Sequence, residues 1–233
     1  MSEATRIRVS PTAIVFLLAL SACQSPATAS QSPSSIAATI DLPPVSPSPP
    51  LPPASLVNGG FETGDLTGWL TKQTGTGKWL VYSDGSTPPV PSLSDPNRPF
   101  RMPDPPEGLY AAVTDMKSDG QRSLYQDVQL DAPYILEFVV FYNNGAAVFN
   151  SKNGFRADLM STTATPTSLS PDHILATIYQ TSTGDPLTLD PTSISFDLSP
   201  WTGQWVRIRF METDNNGPLR AGVDDVRLVV APP

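Results

Sequence analysis

Apolar and polar residues alternate with period two along most of the chain, the spacing that puts successive side chains on opposite faces of a strand. In "SLYQDVQL", Leu124, Val128 and Leu130 fall on one side, and Tyr125, Asp127 and Gln129 on the other. "FRADLM" sets Phe155, Ala157 and Leu159 against Arg156 and Asp158. "SISFDLS" separates Ile194, Phe196 and Leu198 with serines and Asp197. "WVRIRF" turns Val206, Ile208 and Phe210 one way and Arg207 and Arg209 the other. "YILEFVVFY", residues 134–142, is apolar on both sides apart from Glu137, which predicts a strand covered on both faces. "HILATIYQ" and "VDDVRLVV" add two further strands. No segment holds a 3.6-residue period for more than about ten residues.

Turn chemistry punctuates these runs. Asp119-Gly120, Asn153-Gly154 and Asn216-Gly217 supply residues that tolerate positive φ, and Asp131-Ala132-Pro133 is short enough to close a hairpin. Short strands with such turns predict an all-β sandwich or barrel. A long proline-rich loop, residues 83–108, interrupts the pattern, and loops of that length are functional or disordered.

The first residues carry a different message. Arg6 and Arg8 precede the apolar run "AIVFLLAL", residues 13–20, and the run leads into "LSAC". A bilayer span needs about 20 apolar residues, so this run is a secretory signal, not a span. "LSAC" resembles the bacterial lipobox, which implies cleavage before Cys23 and an acyl anchor on its thiol. Cys23 is the chain's one cysteine, so no internal disulfide competes for it. Residues 1–22 are therefore expected to be a lipoprotein signal peptide, with membrane attachment through Cys23. Gln24 after the cysteine points to the outer membrane if the cell is Gram-negative. Residues 23–55 are rich in proline, serine and alanine, with Asp41 as their only charge. Such a composition cannot bury enough apolar surface to offset ordering, which predicts a disordered tether. At about 3.1 Å per residue it would reach on the order of 100 Å. The folded domain is expected over residues 56–231.

Within that domain the acids stand out. The formal net charge of the whole chain is −8, which disfavours nucleic acid and anionic membrane surfaces as partners. Glu62 lies directly beside Phe61 in "NGGFETGDLTGW", the stretch expected to contain the first strand. Near the other end, "GVDDVRLVV" places Asp224 on the same expected inward side as Val226, Leu228 and Val230. Two inward carboxylates repel unless a cation lies between them, and calcium takes six to eight oxygen ligands. Glu62 and Asp224 are the expected ligands, and Asp225 is the alternative to Asp224.

Catalytic constellations are missing. The chain contains no G-x-S-x-G elbow, no H-E-x-x-H or CxxC, and no G-x-x-x-x-G-K-[ST]. His173 is the sole histidine, and Asp224 and Asp225, as strand neighbours, point to opposite faces. A non-catalytic binding domain is expected. Sugars are recognised by exposed aromatic rings flanked by planar polar groups. Trp79, Tyr82 and Trp201 are the candidate rings, and Arg156, Asp158, Arg207 and Arg209 the candidate polar face. The partner is an envelope protein or a polysaccharide.

A resemblance sharpens this reading. "NGGFETGDLTGW" and "AGVDDVRL" resemble the galactose-binding-like jelly rolls, which include many carbohydrate-binding modules. "YAAVTD", "LYQDVQL", "RADLM" and "VRIRFMETDNNGPLRAGVDDVRL" are similar, more narrowly, to a bacterial surface domain found with PEP-CTERM or other anchors. The resemblance implies a jelly-roll β-sandwich of two antiparallel sheets. It also implies a structural calcium joining Glu62 to Asp224. The final "LVVAPP" is not a PEP-CTERM tail, so the expected anchor is the lipid on Cys23.

Overall fold

The structure is a computed structural model that describes residues 56–83, 102–115, 119–215 and 217–232. The signal segment, Cys23 and the tether lie outside the described residues, as does most of the proline-rich loop. Ten strands form the domain: β1 (Leu70–Gly75), β2 (Trp79–Ser83), β3 (Tyr110–Thr114), β4 (Gly120–Gln129), β5 (Tyr134–Asn144), β6 (Asn153–Met160), β7 (Ile174–Gln180), β8 (Thr188–Asp197), β9 (Trp205–Asp214) and β10 (Leu219–Val230). They make two five-stranded antiparallel sheets, ordered β1-β4-β9-β6-β7 and β2-β3-β10-β5-β8. A single 3₁₀ turn, Ser199–Trp201, is the one helical element among the described residues. The fold is the expected all-β jelly-roll sandwich.

The core lies where the alternation put it. Leu124, Val128, Ile208, Phe210 and Leu159 face Leu136, Phe138, Val140 and Val223 across the sandwich. Burying each such side chain contributes about 1.5–3 kcal/mol. Phe138 of one sheet meets Phe210 of the other edge-on, with ring centroids 5.1 Å apart. β5 runs between β10 and β8, and its second face packs Phe141 with Tyr82, Ala111 and Val113 in a smaller cluster. That cluster explains why the β5 sequence is apolar on both sides.

Three expectations are corrected. Asp131-Ala132-Pro133 does not close a hairpin: β4 and β5 belong to different sheets, so this turn carries the chain across the sandwich. "NGGFETGDLTGW" is not a strand either. It winds through turns, with left-handed backbone at Asn58 (φ 53°) and Phe61 (φ 57°), and the first strand starts at Leu70. The turns let Phe61 and Trp69 plug the core, 5.6 Å apart, while Gln126 pins Val57 by both its amide N–H and carbonyl. Finally, Asp224 does not share a face with Val226. Between Asp224 and Arg227 the register slips by one residue against β5, and Asp225 takes up the slack at φ 49°. This β-bulge reverses the alternation, so Asp224 lies on the outer face with Arg220 and Gly222.

Candidate functional site

The two ends of the domain meet on the segment that leads into β3. Exposed Glu62 accepts hydrogen bonds from the backbone N–H groups of Leu109 (3.0 Å) and Tyr110 (3.0 Å). Asp224 accepts from the N–H of Glu107 (2.9 Å) and from that of Asp225 (2.8 Å). One short segment is thus clasped by an acid from each end of the domain. Asp224 is fully buried although it faces outward, because this segment lies over it. Burial, reinforced by the neighbouring charges of Glu107 and Asp225, pushes its carboxyl up to about 7, against the opposing pull of the two N–H groups.

Among the described residues no group of three or more acidic, histidine or cysteine side chains is placed to hold a metal ion. Asp224 has no ion-pair partner among the described residues, and Glu107 approaches Gly60 closely enough that a Cβ there would stand 2.9 Å from its Oε2. A buried carboxylate with amide partners alone is the kind of group a calcium ion would compensate. Asp225 is differently placed: its carboxylate pairs with Arg227, which also donates to Glu137 at 2.9 Å.

The outer face of the first sheet carries the second candidate site. Antiparallel register lines up Trp205 with Gln129, Arg207 with Asp127, and Arg209 with Tyr125 and Asp158. The four charges expected on an outer sheet face are therefore there, but they are largely covered. Residues 161–173, which connect β6 to β7, cross the face as a strap. Arg207 donates to the carbonyls of Ala164 (2.6 Å) and Thr162 (2.9 Å), and Arg209 to those of Pro166 (2.9 Å) and Ser168 (2.7 Å). Asp158 receives both Arg156 (2.7 and 2.5 Å) and Arg209. Burial pulls the Arg209 guanidinium below its ordinary pKa, and Asp158 works against that shift. Arg207 also pairs with Asp127 (2.6 Å) and stacks over Tyr125, 4.5 Å from the ring centroid. Charge on this face mainly holds the strap down. His173 belongs to the end of the strap, where Nδ1 lies 2.8 Å from the Ser168 hydroxyl.

The expected aromatic rings fare worse. Trp79 is buried at 3 % exposure, with Nε1 donating to the Arg122 carbonyl. Tyr82 is buried too, its hydroxyl donating to the Pro103 carbonyl. Both are corrected from ligand candidates to packing residues. Trp201 is half-buried and stacks on Phe196. Among the described residues, the large aromatic ring that faces solvent is Trp205, 59 % exposed, on the outer face opposite Gln129. The signal for it was in the sequence: in "WVRIRF" it falls in phase with Arg207 and Arg209, opposite Val206, Ile208 and Phe210.

No protein-family model and no curated protein matches the chain. Several solved structures are similar to it in fold. TmCBM61, solved in complex with β-1,4-galactotriose, is 16 % identical; the match covers 76 % of this chain and 97 % of that one, with a TM-score of 0.47. The K3 cleaved adhesin domain of Lys-gingipain from Porphyromonas gingivalis W83 is 12 % identical over 76 % of this chain and 98 % of that one, with a TM-score of 0.48. The family 11 carbohydrate-binding module of the Clostridium thermocellum cellulase Lic26A-Cel5E is 12 % identical over 76 % and 95 %, with a TM-score of 0.38. Likenesses this distant say nothing of what this chain binds.

Proposed function

We propose that the domain is a non-catalytic carbohydrate-binding module, carried on an exported protein that is anchored by lipid at Cys23. The observation that carries the reading is Trp205. A large ring more than half exposed on an otherwise polar strand face is a stacking surface for a pyranose. Gln129, directly across the strand pair, and the partly exposed carboxylate of Asp127 beside it supply planar polar groups at its edge. The competing reading, a surface for envelope proteins, calls for a wide apolar patch. The other large exposed apolar side chains, such as Val57, Leu109, Leu175 and Val230, are instead dispersed over turns and strand ends.

A structural calcium ion at Asp224 and Glu62 belongs to the same proposal, as a clasp and not as a ligand contact. Affinity electrophoresis against a panel of soluble polysaccharides tests the function. Retention by at least one neutral polymer, abolished in Trp205→Ala and kept in Trp201→Ala, is the expected result. Retention that survives Trp205→Ala would overturn it.

A further inference from the structure

At the far end of the outer face from Trp205, the first sheet holds a cleft of about 140 Å³. Its polar lining comes from Asn150, Ser151, Arg156 and Gln180, and its apolar lining from Leu169 and Met211. Sites that enclose drug-sized ligands run to about 300–1,000 Å³, so this one takes a single sugar-sized unit.

Both walls are preformed. Leu169, 47 % exposed, projects from the strap directly after Ser168, whose carbonyl is held by Arg209 at 2.7 Å. On the other side, the turn at residues 150–153 is closed by reciprocal backbone bonds between Asn150 and Asn153 (2.9 and 3.2 Å), and the Asn150 carboxamide caps Lys152 (2.8 Å). The strap closes the cleft on the Leu169 side, where Arg209 pins it to the sheet through the Pro166 and Ser168 carbonyls. The cleft therefore suits the end of a chain or a free unit.

The lining also sets the chemistry. Arg156 is already matched by the bidentate Asp158, so the site does not call for an acidic sugar. Phe155 also borders the cleft but turns its ring into the core against Tyr179, so the apolar side chains left are Leu169 and Met211, too narrow for a pyranose face but suited to one methyl group. The Asn150 carboxamide oxygen is engaged by the Lys152 N–H and leaves its NH2 as a donor, while Gln180 presents both a donor and an acceptor. A ligand with a methyl group attached to an amide satisfies both features.

We propose that this cleft binds a terminal N-acetylated hexosamine unit, with its acetamido methyl between Leu169 and Met211 and its amide on Asn150 and Gln180. The proposal rests on the saccharide reading of this face and deepens it. The test is ligand-observed saturation-transfer NMR and calorimetry on the purified full chain, with N-acetylglucosamine and glucose as probes. The expected results are strongest transfer to the acetamido methyl and affinity for N-acetylglucosamine about tenfold or more above glucose. Loss of about tenfold is expected in both Gln180→Ala and Leu169→Asp, each a change at an exposed position, with binding unchanged in Leu175→Ala, an exposed strand position outside the cleft. Equal binding of glucose, no binding of either sugar, or full binding kept in both Gln180→Ala and Leu169→Asp would each overturn it. Failure of the broader reading shows up elsewhere, as polysaccharide retention indifferent to Trp205, with the monosaccharide result untouched.

Discussion

Asp158 illustrates how a residue's worth depends on what it leaves behind. Its fully buried carboxylate serves two guanidinium groups, one of which, on Arg209, is also fully buried. Asp158→Ala strands that charge, and breaking a buried pair from one side costs about 3–5 kcal/mol. Urea unfolding should show this as a lowered midpoint with an unchanged slope. Arg220 makes the opposite case. It is 2 % exposed, and among the described residues its Nε and Nη2 atoms have no hydrogen-bond partner. Burial lowers its pKa, with Asp115 and Tyr82 opposing. An unsatisfied buried polar group costs about 1–3 kcal/mol, so Arg220→Met is expected to stabilise the protein by a similar amount. A midpoint lower than wild type would show that the guanidinium is satisfied in solution, by water or by a ligand.

At the scale of elements, the clasp around the approach to β3 depends on a glycine. Gly108 has φ +60°, and a Cβ there would stand 2.4 Å from the Glu62 carboxyl carbon. Gly108→Ala should cost about 1–3 kcal/mol through backbone strain alone, and should also push Glu62 off the Leu109 and Tyr110 amides. Faster amide exchange at Leu109 and Tyr110 than in wild type checks this; unchanged exchange rates would refute it. The strands themselves were legible because each has one buried face, and a side-chain period of two records that directly. In "WVRIRF" the alternation puts Trp205 on the arginines' face, whereas Trp201 lies in the preceding 3₁₀ turn, outside any alternation. Asp224 was misplaced because a bulge is one extra residue, and nothing in "GVDDVRLVV" marks which residue is extra. The hairpin at Asp131-Ala132-Pro133 failed because a short turn fits a crossing between packed sheets as well as a return within one. Trp79 and Tyr82 were ambiguous for a different reason: β2 is covered on both faces, by the core on one side and by Phe141 and its neighbours on the other.

Buried carboxyls on both sheets hold their protons more tightly in the folded molecule, and this gives a stability curve that can be predicted. Asp224 is raised to about 7 and Asp214 to about 6, both mainly by burial. In the unfolded chain both return to about 3.9. Between those values the folded protein keeps protons that the unfolded chain has released, so unfolding free energy should be highest near pH 4 and fall as pH rises. The fall due to Asp214 should be nearly complete above pH 6, leaving the decline beyond it to Asp224 and to fully buried Glu212, which burial also raises well above the ordinary carboxylate range. Urea unfolding across pH 4–8 in the presence of chelator measures this. Asp224→Asn cannot titrate and should flatten the upper part of the curve whatever its effect on absolute stability. A calcium ion held by Asp224 would favour the ionised carboxylate, so calcium at about 100 times its Kd should add about 2.7 kcal/mol above pH 7 and progressively less below it. If the Asn variant keeps the wild-type slope, burial of Asp224 is not what disfavours its charge. If the slope flattens but calcium adds nothing, the two ends of the domain are held by the amides of Glu107, Leu109 and Tyr110 alone.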